Sequence, residues 1–179
     1  PPWLAVPLAM EAARSRRREH QLTAAARLTT AVASRDLTAL SIEPNRGRVV
    51  PVAGRTVSSK SGPASEPVVL LSGNLGYRPT VAGALWFARE VWPGVRARVP
   101  DARWVLAGAR PARAVRRLAR GDGVELHADV PDLSAFLASA RVAVAPMSTG
   151  SGVPMKVLVA MAAGVPVVAD RWAASGLAE

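Results

Sequence analysis

Ser148-Thr-Gly-Ser-Gly-Val-Pro-Met-Lys-Val-Leu-Val-Ala-Met-Ala-Ala-Gly164-Val-Pro-Val-Val-Ala169 is the stretch whose reading decides the fold. A small, glycine-bearing loop runs into a short apolar helix. Pro154 stands where a first helical residue tolerates a missing N–H, and Gly164 stands where a helix stops. A buried-type strand, Val165 to Ala169, follows at once. Loop, helix and strand in this order form half of a βαβ unit. Free backbone N–H groups at the positive end of a helix are suited to hold a phosphate. A phosphate-bearing ligand is therefore the first expectation.

Upstream, the same alternation repeats. Val68 to Leu71 is a strand run, followed by Ser72-Gly-Asn-Leu-Gly-Tyr-Arg-Pro79. From near Pro79, Val81, Ala84, Leu85, Ala88, Val91, Trp92, Val95 and Val99 keep the stripe of one long helix. Strands at Ala102–Ala107, Val124–His127 and Arg141–Ala145 alternate with helices at Ala112–Arg120 and Leu133–Ser139. Such alternation implies a parallel sheet with helices on both faces. Ligands of such sheets bind at the carboxyl ends of the strands. Three segments should meet there: Gly73 to Gly76, the loop from His127 to Pro131, and Pro146 to Gly152. G-x-G-x-x-G is absent, and the second strand ends Leu106-Ala-Gly108 without an acidic residue, which argues against NAD.

The N-terminal third is less regular. Leu8 to Leu28 reads as a helix, Thr29 to Ala33 as a short strand, and Arg48 to Ala53 as another. Ser34 is the expected N-cap of a short helix between them. Residues 54–67, rich in Ser, Gly and Pro, read as a linker. The expected organisation is thus 1–53, a linker at 54–67, and a domain at 68–179.

Composition narrows the function. The chain has 179 residues and no Cys, which excludes disulfides and thiolate metal sites. His20 and His127 are the only histidines, nothing places them together, and no metal site is expected. The net charge is +10, with lysine only at Lys60 and Lys156. One dense cationic cluster, Arg14, Arg16, Arg17 and Arg18, allows a weak contact with an anionic membrane surface. Basic residues do not alternate with aromatics, so no nucleic-acid partner is expected. Pro1 to Met10 lacks the basic start of a signal peptide, and the run Val157 to Ala169 is too short to span a bilayer. A cytoplasmic protein, with peripheral contact at the inner membrane face allowed, is the expectation. Beginning at Pro1-Pro2 and ending just past a strand, the chain reads as a fragment.

Leu70 to Pro93 resembles the opening βα unit of the donor domain of GT-B glycosyltransferases. Pro100 to Gly108 is similar to the next strand, and Val130-Pro-Asp-Leu and Ala143-Val-Ala-Pro146 to the nucleotide-side loops. Ser151 to Ala169 resembles the most diagnostic segment of the large retaining, sucrose-synthase-like group known as glycosyl transferases group 1, or family four. The likeness is strong over Val68 to Leu177. Glu11 to Val57 resembles, more weakly, the end of the acceptor domain and the interdomain hinge.

The resemblance implies a Rossmann-like donor domain plus a short remnant of an N-terminal domain. It implies a hexosyltransferase-like enzyme moving sugar from a nucleoside-diphosphate donor, with that donor as substrate and no separate cofactor. Gly73 and Asn74 would lie beside the diphosphate, and the loop His127 to Val130 would meet the base through backbone groups. Ser151, Gly152 and Val153 would offer N–H groups to the phosphates, and Lys156 would add a charge. No residue is assigned as catalytic. His127 is the one general-base candidate, and a strand-end histidine without catalytic work is the plainer reading.

The family usually carries two glutamates across this segment, at the places of Ser151 and Val159. Gly150-Ser151-Gly152 fits a subgroup with Ser in the first place. The second, which holds the donor ribose, falls at Val159. A valine cannot accept a hydroxyl hydrogen bond, and losing a charged one removes about 1.5–3 kcal/mol of binding. The alternative reading is therefore a non-catalytic GT-B-like binding or scaffold module. Without most of an acceptor domain, this chain alone is not expected to transfer sugar.

Overall fold

The computed structural model describes residues 5–52, 64–147, 149 and 154–174. The chain divides into two compact units, residues 1–52 and 53–178. Among the described residues no helix is long and apolar enough to cross a membrane.

The first unit opens with α1 (Ala5–Ala25). It starts and stops three residues before the expected bounds. Pro7 falls in its first turn, where no N–H is required. Its end is fixed from outside: the Arg46 guanidinium donates to the carbonyl oxygens of Thr23, Ala24 and Ala26 at 3.0, 3.1 and 2.5 Å. A cation on the last carbonyls also complements the helix dipole. β1 (Thr29–Ala31) pairs in parallel with β2 (Gly47–Val49), Thr30 opposite Arg48.

Both strands are shorter than expected. Ala33 is already the extended cap residue of α2 (Ser34–Ala39), so Ser34 is its first helical residue rather than its cap. β2 ends because Pro51 has no N–H to donate; the last rung is Val50 N–H to Ala31 O at 2.8 Å. Ala53 and most of the expected linker lie outside the described residues.

The second unit holds β3 (Val68–Asn74), α3 (Arg78–Glu90), α4 (Trp92–Arg98), β4 (Arg103–Ala109), α5 (Arg113–Leu118) and β5 (Val124–Ala128). There follow α6 (Ser134–Ser139), β6 (Val142–Ala145), α7 (Met155–Ala162), β7 (Val167–Ala169) and α8 (Arg171–Ala174). The five strands are all parallel, in the order β5-β4-β3-β6-β7. This is the parallel sheet with helices on both faces that the alternation implies.

Burial on both faces explains the apolar run of β3. Val69 and Leu71 pack on one side with Phe87, Trp92, Trp104 and Leu106, under α3, α4 and α5. Val68 and Leu70 face the other side with Leu137, Ala160 and Ala163, under α6 and α7. Successive residues of a strand point to opposite faces, so one apolar run serves two cores.

Four expectations are corrected here. The single long helix from Pro79 to Val99 is two, meeting at Val91, with Pro93 in the first turn of α4. Leu85 is exposed; Phe87 takes its place inward, its ring tilted against Trp104 with centroids 4.8 Å apart. The last strand is not of the buried type: Val168 is 64 % exposed, and β7 begins only after Pro166. Val165 is nevertheless buried, ahead of the strand. At α7, Pro154 is the cap residue rather than the first helical one. Gly164, at φ +71°, stops the helix where expected.

Candidate donor-binding site

In the order β5-β4-β3-β6-β7 the chain leaves β3 in one direction and β6 in the other. Connections diverge between these two strands, which opens a crevice at their carboxyl ends. A cavity of about 430 Å³ lies there. Ser72, Gly73 and Asn74 line it from the end of β3, and Met147 from the residues after β6. The start of α7 contributes Pro154, Met155, Lys156 and Val159, and Thr80 and Tyr77 come from the start of α3. Leu133, Thr149, Trp172 and Ala173 complete it.

Local structure aims these groups. Gly73 has φ +113°, a turn-out at the strand end that an L side chain rarely adopts. The Lys156 chain passes over it, its Cε 3.7 Å from where a Cβ would stand. Lys156 Nζ then donates to Thr80 Oγ1 at 2.9 Å, across the switch point. Thr80 is 2 % exposed. The helix carrying it lies close because Gly83 has no side chain: a Cβ there would sit 1.8 Å from the carbonyl oxygen of Pro146. Asn74 Oδ1 accepts the Gly76 N–H at 3.0 Å and closes the loop after β3.

Lys156 is the one charged side chain among the described residues of the lining. Burial pushes its ammonium down to about 8, and no carboxylate there offsets the desolvation. The site is a cation with a hydroxyl partner, in a recess whose wall mixes apolar side chains with Ser72, Asn74, Tyr77 and Thr149.

The expected site residues divide into three sets. Gly73, Asn74, Lys156 and Val159 come together in the cavity. Ser151, Gly152 and Val153 lie outside the described residues. His127 and Val130 are not part of the lining. His127 is exposed at the end of β5, its Nε2 3.5 Å from Glu125 Oε2 and its ring 4.8 Å from Phe136. Val130 packs on the core beside Leu133. The loop between them is tied back to β4: the Asp129 N–H donates to Gly108 O at 2.7 Å, and Asp129 Oδ1 accepts the Arg110 N–H at 2.6 Å.

Sequence reasoning missed Thr80, Tyr77 and Trp172. Thr80 reads as an ordinary first-turn helix residue, and only the sheet order brings it opposite Lys156. Trp172 had a signal, since it follows the carboxyl end of a strand, where such sheets bind ligands.

The fold is shared with solved glycosyltransferases of GT-B type. TarM of S. aureus superposes with a TM-score of 0.73 at 11 % identity, over 93 % of this chain and 34 % of TarM. HepE of Anabaena, solved with UDP and glucose, gives 0.62 at 17 % identity over 86 % of this chain and 47 % of its own. Sucrose-phosphate synthase of Thermosynechococcus elongatus gives 0.55 at 21 % identity, over 78 % and 39 %. The chain thus spans between a third and a half of the length of these enzymes. No curated protein sequence matches it. The pattern of the glycosyl transferases group 1 family matches residues 66–179, and with that match over most of its length the chain belongs to this family.

Proposed function

We propose that the switch-point cavity binds the diphosphate of a nucleotide-sugar donor, and that the whole enzyme passes the sugar to an acceptor. The observation that carries this reading is Lys156: a desolvated ammonium, hydrogen-bonded to Thr80, with no carboxylate in the described lining. A cation drawn from water without a counter-ion is costly, and an anionic ligand removes that cost. A diphosphate is the anion that the reaction releases, so the same charge stabilises the leaving group as the glycosidic bond breaks. UDP bound to HepE and to the pneumococcal transferase GtfA supports the ligand class. Gly73 and Asn74 then flank the diphosphate, while the nucleoside runs towards Val159, Leu133 and Trp172. Binding without turnover is the expectation for residues 1–179 alone, since the described lining belongs to one unit.

Calorimetry tests the reading with a nucleoside diphosphate, its nucleotide sugar, the nucleoside and single-stranded DNA. Lys156→Ala should weaken the diphosphate about tenfold or more and leave the nucleoside nearly unchanged, because the lost contact is charge-assisted. Equal weakening of both ligands, or DNA binding more tightly than the diphosphate, overturns it.

A further inference from the structure

The helical charge of the second unit sits on one side of its sheet. On one face, α3, α4 and α5 carry seven arginines against one carboxylate, Glu90. On the other, α6 and α7 carry a single charged residue, Lys156, whose ammonium turns to Thr80.

The asymmetry is concentrated on α5. From Ala102 to Gly121 the sequence holds six arginines and no Asp or Glu. Val115 is fully buried, and Ala112 and Leu118 pack on the same core, which fixes the inner side of the helix. Arg113, Arg116, Arg117 and Arg120 then recur at i, i+3, i+4 and i+7 on the outer side, and all four are exposed. The turn that holds Arg120 is closed by its N–H on the Arg117 carbonyl at 3.1 Å. Among the described residues none of the four forms an ion pair. Like charges one turn apart repel, and a surface of anions turns that cost into attraction. The cluster that is densest in the sequence is built differently. Arg16 of α1 points roughly half a turn away from Arg14 and Arg18, and Glu11 and Glu19 share a recess with those two.

We propose that the α5 face docks this unit on an anionic phospholipid surface. Guanidinium groups meet phosphates in bidentate pairs, and a stripe of four presents them together to a plane of headgroups. Beside α5 in the same layer, α3 exposes Leu85 and Trp86. Apolar side chains among arginines suit the boundary between headgroups and acyl chains, whereas a nucleic-acid backbone gains nothing from them. No Phe, Trp or Tyr occurs between Trp104 and Phe136, so α5 offers no platform for stacked bases. The docking does not depend on what the cavity binds.

Cosedimentation of the intact chain with vesicles tests it, using phosphatidylcholine alone and phosphatidylcholine with about 30 % phosphatidylglycerol. Binding to the anionic vesicles only, reversed by about 0.5 M sodium chloride, is the expected result. Each arginine near such a surface contributes roughly fivefold in partitioning. Arg113→Gln, Arg117→Gln and Arg120→Gln together should therefore cut it on the order of a hundredfold. Arg116 is kept because its Nε donates to the Pro111 carbonyl at 3.2 Å. The matched triple Arg14→Gln, Arg17→Gln and Arg18→Gln removes the same charge from α1 and should cost less than about fivefold. Equal losses in the two triples would show attraction to net charge alone and overturn the proposal. Binding to phosphatidylcholine by itself, or no binding to the anionic vesicles, overturns it too. Duplex DNA at the same phosphate concentration is the last arm: tighter binding there, lost in the α5 triple, gives this face to a nucleic acid instead. A thermal melt checks that both triples fold, and Arg117→Gln alone, with its loss of about fivefold, carries the same test if the α5 triple does not.

Discussion

Lys156 carries more of this protein's chemistry than any other side chain described. Its ammonium titrates near 8, well under the ordinary lysine value of 10.5, because burial disfavours the charged form. A bound diphosphate favours that form and moves the group back up. Binding therefore takes up a proton between about pH 8 and 10.5, and affinity falls as pH rises through about 8. At pH 8, calorimetry in buffers of different ionisation enthalpy should read roughly half a proton taken up per diphosphate bound. Lys156→Ala should abolish the uptake. A wild-type uptake of zero would detach the ligand from this lysine.

At the scale of elements, the site depends on how near α3 approaches the end of β6. Gly83 permits the approach, and a methyl group there meets the Pro146 carbonyl at 1.8 Å. Gly83→Ala must push α3 outward and carry Thr80 away from Lys156. Overpacking of this kind should cost about 2–3 kcal/mol, read as a lower urea midpoint. Diphosphate binding should weaken in parallel. Ala82→Ser, one residue earlier on the exposed side of the helix, should change neither. Unchanged stability in Gly83→Ala would mean that the close contact is relieved without moving the helix.

The molecule as a whole carries a net charge of +10, nearly all from arginine. Like charges repel within each compact unit, and salt screens them over about 10 Å at 0.1 M. Raising sodium chloride from about 20 to 300 mM should raise the melting temperature by a few degrees. The same field draws anionic donors inward, so their association rate should fall with salt. A melting temperature that falls with added salt would show that attractive ion pairs, such as Arg103 with Glu66 and Glu125, outweigh the repulsion.

The sequence by itself determined the parallel α/β architecture, because apolar runs of strand length alternate with helical stripes and few other folds bury both. It also determined the glycine turn after β3, the stop at Gly164 and the placing of Lys156 at a helix start, all of which are local chemistry. Local signals did not show the break at Val91, since Trp92, Val95 and Val99 continue the stripe across it. Nor did they show that Val168 is exposed, since valines look alike in a central and an outer strand. What only the tertiary structure decided is the company Lys156 keeps. Thr80 stands 76 positions away and meets it at 2.9 Å because β6 inserts beside β3 and Gly83 admits the helix. Whether His127 belongs to the cavity was likewise a matter of sheet order: β5 lies two strands beyond β3, and its last residues turn towards Phe136. Pairing between distant strands is set by the whole core at once, and no short stretch of sequence encodes it.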